Sequence, residues 1–263
     1  MYNNVILEAG GLSVIKVIRH SFESIILWVR LLNFNNFDCV YTTYSINEEN
    51  HGLYVRLIQQ LGSGSYGHVY LGIHIKTKSK VAVKVVSLEK FPEAHRKRML
   101  DNFRNEITNM QLAEGKNIVR LLAIQAYHKV DEYRSEKNLY LVCEYCNGGN
   151  LQSYIQKMHR LTERESLKIF RDILNGMKIL HSNNIVHRDL KPANVMLNNY
   201  TAKVGDFGFS KLTEDHDQLL ISLVGTPQYM SPQILAQNKY TDKTDIWSLG
   251  IILYEMLYGR RPW

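Results

Sequence analysis

The stretch of sequence that decides the fold is His187-Arg188-Asp189-Leu190-Lys191-Pro192-Ala193-Asn194, which is followed by Asp206-Phe207-Gly208. Together the two segments place two carboxylates, a lysine and a carboxamide within one short region. Transfer of a phosphoryl group from a magnesium nucleotide needs metal ligands, fixed positive charge beside the phosphates and one carboxylate near the attacking hydroxyl. The pattern therefore indicates phosphoryl-transfer chemistry.

The order and spacing of these residues resemble the catalytic loop and the metal-binding turn of protein kinases. The resemblance implies that Asp189 orients the substrate hydroxyl and accepts its proton, and that Lys191 neutralises the γ-phosphate of ATP. It also implies that Asn194 and Asp206 bind Mg²⁺ through hard oxygen ligands. A single aspartate is more often a cap or turn residue, but the whole combination makes a chance match a poor explanation.

A glycine-rich segment precedes this region in the sequence. Gly62, Gly64, Gly67 and Val69 match G-x-G-x-x-G-x-V and lie between two predicted strands. A dinucleotide-binding turn would instead lie at the entry to a helix. The context therefore favours a flap whose backbone amides approach the phosphates of ATP without a Cβ in the way.

Lys84 follows Val81-Ala82-Val83 in a β-rich run, where protein kinases place the lysine that binds the α- and β-phosphates. Apolar residues recur at helical spacing from Met99 to Met110, which predicts a helix containing Glu106. The resemblance implies that Glu106 pairs with Lys84. Glu93 is the competing partner, and it precedes the start of this periodicity.

The same resemblance assigns positions around the adenine base. The apolar positions that would enclose the ring are Leu61, Val69, Ala82 and Met196; Cys143 is the gatekeeper, and the hinge Glu144 to Cys146 would bind the adenine edge through its backbone. Ordinary core packing is the alternative for the apolar members, and both interpretations can hold.

Lys191 and the segment from Gly225 to Tyr229 resemble serine/threonine kinases and not tyrosine kinases. Ser222 precedes Thr226 at the spacing of the usual activation-loop phosphorylation site. A phosphoserine there would offer about −2 charge to Arg188 and Lys211. An unmodified loop serine is the alternative, and the sequence leaves both open.

The resemblance implies an α+β, two-lobed protein-kinase-like fold with a five-stranded antiparallel N-terminal lobe, one helix in that lobe and a mainly helical C-terminal lobe. Strands are predicted at 54–60, 68–75, 81–86, 118–126 and 139–145. Thr162 and Glu165 have capping-box spacing. The helix that follows is expected to bury Leu167, Phe170, Ile173, Leu174, Met177 and Leu180. The expected divisions are an N-terminal extension at 1–52, the N-terminal lobe at 53–143, the hinge at 144–149 and a partial C-terminal lobe at 150–263.

The chain has 263 residues, of which 45% are hydrophobic and 22% charged, and a net charge of +7. Its cations are scattered, so nucleic acid is not expected as a partner, whereas the resemblance to kinases implies a protein substrate. Three cysteines do not make a disulfide framework, which favours a reducing, cytoplasmic location. Cys143 and Cys146 form a single C-x-x-C, and they are expected to pack in a strand and its exit and not to bind zinc.

Charged residues interrupt the apolar segment at 12–32 within the N-terminal extension, so no transmembrane helix is expected there. An amphipathic helix and an extension with no fold of its own are both open.

Two features depart from the kinase pattern. Ser231-Pro232-Gln233 stands where the family usually has Ala-Pro-Glu, and the sequence ends at Trp263, so the remaining C-terminal helices are expected to be absent. The segments at 229–233 and 259–263 loosely resemble calcium/calmodulin-dependent and autophagy-initiating kinases.

Two alternatives to an active kinase stay open: a kinase-fold fragment or pseudokinase that acts as a nucleotide-binding scaffold, and a small-molecule phosphotransferase. A pseudokinase is expected to lack Lys84, Asp189, Asn194 or Asp206, and the sequence has all of them.

Overall fold

The computed structural model describes residues 55–64, 67–75, 77–88, 92–130, 135–214, 219–220 and 222–263. The described chain divides into two compact units. The first lies within Met1–Asp101 and Leu121–Tyr145, and the second within Asn102–Arg120 and Cys146–Trp263. The predictions for the extension at 1–52 fall outside the described residues.

The first unit is a five-stranded antiparallel sheet, as predicted. Its strands are β1 (Val55–Gly64), β2 (Gly67–His74), β3 (Lys80–Ser87), β4 (Leu121–Val130) and β5 (Ser135–Glu144). They lie in the order β1-β2-β3-β5-β4. The fourth strand begins at Leu121 and not at Ile118, because Ile118 instead forms a parallel bridge to Val204 in the second unit.

Strand β3 shows how the sequence places side chains on this sheet. Val81 and Val83 are buried in one apolar cluster with residues of β1, β4 and β5. Side chains alternate between the two faces of a strand, so Ala82 and Lys84 lie on the opposite face, where both are half-buried.

Helix α1 (Glu93–Leu112) contains Glu106, as the periodicity predicts. Its apolar stripe is buried at Met99, Phe103, Ile107 and Met110. The helix begins earlier than the apolar periodicity, at Glu93, so this residue lies on the same helix but before the buried stripe. The two candidates differ in burial: Glu106 is buried and Glu93 is exposed.

The second unit contains α2 (Leu151–Met158), α3 (Glu163–Ser182), α4 (Pro232–Leu235) and α5 (Lys243–Tyr258). Thr162 caps α3, since its Oγ1 accepts a hydrogen bond from the Glu165 N–H at 3.3 Å. The buried face of α3 includes Ile169, Ile173, Met177 and Leu180.

The prediction that α3 also buries Leu167 and Leu174 is wrong, because these side chains are 48% and 42% exposed. The buried stripe passes through Ser166 and Ile173. Leu167 and Leu174 each lie one residue, and so about 100°, further round the helix.

Four short strands flank the segment 187–194. Strand β6 (Ile185–Val186) pairs with β9 (Lys211–Leu212), and β7 (Val195–Asn198) forms a hairpin with β8 (Thr201–Val204). The sequence did not predict this hairpin. Its two turn residues, Asn199 and Tyr200, have φ of 47° and 63°, as a two-residue hairpin turn requires.

In the part of the chain that the structure describes, none of the helices combines the length and the apolar character needed to cross a membrane.

Candidate active site

The conformation of the loop that follows β6 depends on one buried carboxylate. Asp245 of α5 is fully buried and accepts hydrogen bonds from the backbone N–H groups of His187, at 2.9 Å, and Arg188, at 3.0 Å. Arg188 has a φ of 65°, a left-handed conformation that costs energy in a residue with a side chain. Asp245 therefore offsets a strained backbone. Sequence reasoning gave Asp245 no role; an aspartate in a strongly apolar helix was the available signal.

The His187 side chain also forms hydrogen bonds that hold the backbone of this loop. Its Nδ1 accepts from the Asp189 N–H at 3.3 Å, and its Nε2 lies 3.1 Å from the carbonyl oxygen of Gly205. Because Nδ1 is an acceptor, the ring proton is on Nε2 and donates to that carbonyl. The imidazole thus joins the Asp189 loop to the residue before Asp206.

Asp189 is the centre of the candidate site. Its side chain is buried and receives three hydrogen bonds. Thr226 Oγ1 donates to Oδ1 at 2.6 Å, while Lys191 Nζ and Asn194 Nδ2 donate to Oδ2 at 2.8 and 3.1 Å. The structure therefore brings together four residues that the sequence singled out. A carboxylate held in this way has a fixed orientation, as a group that receives a proton from a bound hydroxyl needs.

Thr226 contacts the carboxylate and the ammonium group at once. Its Oγ1 accepts from Lys191 Nζ at 2.7 Å and donates to Asp189. The sequence had grouped Thr226 with regulatory residues, and the structure places it against the predicted base. The preceding Gly225 has a φ of 111°, and a Cβ there would lie 2.4 Å from the carbonyl oxygen of Arg188. A side chain at position 225 would therefore push this segment away from the loop.

The two predicted metal ligands have suitable donor atoms. Asn194 is buried, and its Nδ2 donates to the backbone oxygen and the carboxylate of Asp189, so its Oδ1 is the atom left to act as a ligand. Asp206 has an exposed side chain and a φ of 57°. One carboxylate and one amide oxygen fit Mg²⁺, which keeps water and phosphate oxygens as its other ligands. Among the described residues, no cluster of three or more His, Cys, Asp or Glu side chains offers a different metal site.

Arg188 connects the loop to the activation segment. Its Nε donates to the carbonyl oxygen of Phe209 at 2.7 Å, and its Nη1 donates to Ser222 Oγ at 2.8 Å. Tyr240 holds the same segment from the other side, because its hydroxyl donates to the backbone oxygen of Ser222 at 2.7 Å. Lys211 lies exposed in β9. Of the two cations predicted to act on Ser222, Arg188 therefore contacts it directly.

The predicted phosphate-binding residues of the first unit follow the strand register. Gly62 pairs with Val69, Gly64 with Gly67, and Val69 with Lys84. A Cβ at Gly67 would lie 2.1 Å from the carbonyl oxygen of Val85, whereas one at Gly62 would meet no atom within 4 Å. Packing therefore explains Gly67, while the space beside Gly62 is consistent with a flap over a ligand. Glu106 belongs to the second unit, and its pairing with Lys84 stays a prediction.

The predicted adenine positions divide between the two units. In the first, Leu61 is 45% exposed, Ala82 pairs with Cys143, and Glu144 ends β5. In the second, Cys146 is buried and Met196 is half-buried. Cys143 and Cys146 are reduced and lie in a strand and just after it, as the sequence predicted.

A second buried carboxylate was missed by sequence reasoning. Glu255 of α5 is buried and accepts from the Tyr229 hydroxyl at 2.6 Å and from Gln152 Nε2 at 3.2 Å. Burial raises the pKa of Tyr229, and the hydrogen bond to Glu255 raises it further. Gln233, the departure noted in the sequence, lies exposed in α4.

The protein kinase domain model matches residues 55–263. The chain belongs to the protein kinase family. The match includes every residue of the Asp189 site and all five strands of the sheet, so the predicted two-lobed kinase fold class is confirmed.

Two curated relatives of this kinase chain come from Dictyostelium discoideum. Serine/threonine-protein kinase atg1 is 39% identical over 207 residues, which are 77% of this chain and 30% of the relative. Probable serine/threonine-protein kinase MARK-C is 40% identical over 205 residues, which are 77% of this chain and 25% of the relative. The predicted resemblance to serine/threonine kinases is confirmed, and the first relative matches the autophagy-initiating group. The chain spans less than a third of the length of either relative.

Proposed function

We propose that the chain is the catalytic domain of an ATP-dependent protein serine/threonine kinase, which transfers the γ-phosphoryl group of Mg-ATP to a serine or threonine hydroxyl of a protein. The observation behind this proposal is the buried Asp189 carboxylate, held by Lys191, Thr226 and Asn194. Membership of the kinase family and two relatives named as serine/threonine kinases support it.

In the proposed reaction Asp189 orients the substrate hydroxyl and accepts its proton as the oxygen bonds to phosphorus and ADP leaves. Thr226 and Lys191 hold the carboxylate for that task. Lys191 also places positive charge beside the γ-phosphate, where negative charge must be stabilised. Asn194 and Asp206 would bind Mg²⁺, which supplies charge neutralisation on the phosphate oxygens.

The first unit is proposed to bind the rest of the nucleotide. The backbone at Gly62, Gly64 and Gly67 would cover the phosphates, and Lys84, paired with Glu106, would bind the α- and β-phosphates. The proposed contacts of the adenine base are Leu61, Val69, Ala82, Cys143, Glu144, Cys146 and Met196.

The test is phosphorylation of a generic protein substrate with Mg-ATP by the wild-type chain and by Asp189→Asn. The asparagine keeps the size of the side chain but cannot accept the proton, so we expect activity to fall by about 10²- to 10⁴-fold. Nucleotide binding, measured by titration calorimetry, should change little. Binding without transfer in both proteins would favour the alternative, a pseudokinase or kinase-fold fragment that acts as a scaffold.

We further propose that phosphorylation of Ser222 switches the activity on. The Arg188 guanidinium already donates to Ser222 Oγ, and a phosphate there would make charge-assisted hydrogen bonds with Arg188 and attract Lys211. Ser222→Ala should lower activity as much as phosphatase treatment of the wild type does. Unchanged activity would mean that Ser222 is an ordinary loop residue.

The proposed kinase domain covers 53–263, with an N-terminal lobe at 53–143, a hinge at 144–149 and C-terminal-lobe residues at 150–263, and the extension at 1–52 precedes it. We propose a cytoplasmic location and a protein, not a nucleic acid, as substrate. The scattered charge and the reduced state of Cys143 and Cys146 support this, because reduced thiols are typical of a reducing compartment.

A further inference from the structure

A buried hydrogen bond joins helix α1 to the segment that follows Asp206. Asn109 Nδ2 donates to Ser210 Oγ at 2.8 Å across 101 positions of sequence. Both side chains are almost completely buried, at 2% and 3% exposure. Buried polar groups are costly unless they are paired, so this contact fixes the two segments to each other within the second unit.

The Ser210 hydroxyl also forms a hydrogen bond to the backbone of the predicted metal-binding turn. Its Oγ donates to the carbonyl oxygen of Phe207 at 2.6 Å while it accepts from Asn109, and a hydroxyl can do both at once. The Ser210 N–H donates to the same carbonyl at 3.0 Å. The result is a two-bond relay from Asn109 through Ser210 to the backbone directly after Asp206.

The turn at Asp206 has a conformation that needs such support. Its φ of 57° is unfavourable for a residue with a side chain, and its carboxylate is exposed. On one side the Gly205 N–H donates to the carbonyl oxygen of Asn194 at 2.9 Å. On the other side the Phe207 carbonyl oxygen accepts the two hydrogen bonds from Ser210. The backbone is therefore held at both ends of the strained residue.

We propose that Asn109 and Ser210 are positioning residues, which hold the Asp206 turn in its metal-binding conformation and link it to the helix that contains Glu106. This inference rests on the proposed function, because only that function makes Asp206 a metal ligand. Its consequence is that the two acidic groups expected to act on the nucleotide, Glu106 and Asp206, are coupled through side chains that touch neither substrate nor metal.

The first experiment compares Ser210→Ala with the wild-type chain by amide hydrogen exchange and by steady-state kinetics. Alanine removes the relay and leaves the Asn109 amide buried without its acceptor. We expect exchange at residues 206–211 to accelerate and KM for Mg-ATP to rise, each by about tenfold, as for a lost buried hydrogen bond. The KM for the protein substrate should change little. Ser166→Ala is the matched control, since the Ser166 hydroxyl is buried and has no partner among the described residues; it should change none of these values.

The double variant Asn109→Leu with Ser210→Ala separates positioning from simple stability. It replaces both partners with apolar groups, so the urea midpoint should return close to that of the wild type. Exchange at 206–211 and KM for Mg-ATP should stay as in Ser210→Ala. Recovery of these two values together with the midpoint, or wild-type exchange in Ser210→Ala, would overturn the proposal. A wild-type chain without kinase activity would contradict the proposed function, while the exchange data would still decide whether the relay holds the turn.

Discussion

The sheet of the first unit and the Asp189 loop of the second unit are built in different ways. In the sheet, strand register alone places Gly62 opposite Val69 and Val69 opposite Lys84. In the loop, the backbone at His187 is held by Asp245, and the Asp189 carboxylate is held by Thr226. Side chains far along the sequence therefore stabilise the loop, and single distant substitutions should disrupt it. The sheet should respond mainly where two strands approach closely.

The largest effect is expected for Asp245→Ala. This change removes the acceptor of the buried His187 N–H, at a cost of about 1–3 kcal/mol, and that of the partly buried Arg188 N–H, at a smaller cost. The strained Arg188 backbone should then relax, and kinase activity should fall with stability. Urea unfolding and a phosphorylation assay on the same preparation measure both quantities.

Asp245→Asn is the matched control, because it keeps one oxygen acceptor beside the loop. We expect a smaller loss of stability than for the alanine variant. Equal stability of wild type and Asp245→Ala would show that the loop supports itself, and the contrast with the sheet would disappear.

Thr226→Val should affect catalysis more than folding. Valine has the shape of threonine but neither donates to Asp189 nor accepts from Lys191. We expect kcat to fall by about 10- to 100-fold, in line with the loss of a hydrogen bond to a charged group. Thr226→Ser, which keeps the hydroxyl, should retain most of the activity. If both variants have the same kcat, the Thr226 hydroxyl does not position Asp189.

Two glycines test the sheet. Gly67→Ala places a Cβ against the Val85 carbonyl oxygen and should lower the free energy of unfolding by about 1–3 kcal/mol. Gly62→Ala meets no neighbour and should change that free energy by less than about 0.5 kcal/mol, while it raises KM for ATP if the flap covers the phosphates. The reverse order of stabilities would contradict the strand register described above.

A modest effect is expected for the pH dependence at His181. The hydrogen bond from its Nε2 to Asp245, which lies 3.1 Å away, raises the pKa of His181 above its ordinary value, against the opposing effect of burial. Because the folded-state pKa is the higher one, this contribution is fully present below the unfolded pKa and is lost as pH rises through the folded pKa. The wild type should exceed His181→Gln in unfolding free energy by at most about 1 kcal/mol at low pH. A difference that grows with increasing pH would contradict this assignment.

Much of the fold could be predicted because it depends on local periodicity. The β-rich run from Val81 to Val86 gave β3, and helical spacing from Met99 to Met110 gave α1. The errors arise where local pattern does not decide burial. Leu167 and Leu174 are apolar and close in sequence to the buried stripe of α3, but only packing decides which side of a helix is covered.

In the candidate site too, the sequence indicated some residues and only the fold revealed the others. Chemical types and spacing, together with the resemblance to kinases, singled out Asp189, Lys191, Asn194 and Asp206 as candidates, because phosphoryl transfer restricts which groups can serve. Asp245 could not be assigned a role in this way, since its acceptor oxygens serve backbone amides more than fifty positions away. Backbone amides are the same in every residue, so no sequence pattern marks the ones it binds.

The sequence by itself determined which groups are candidates for the site, and the resemblance to kinases indicated the chemistry. Only the tertiary structure decided how those groups are held: Thr226 against Asp189, Asp245 beneath the loop, and Asn109 against Ser210. The physical reason is that side-chain type determines what a residue can donate or accept, whereas a hydrogen bond exists only when the fold brings its two atoms within about 3 Å of each other.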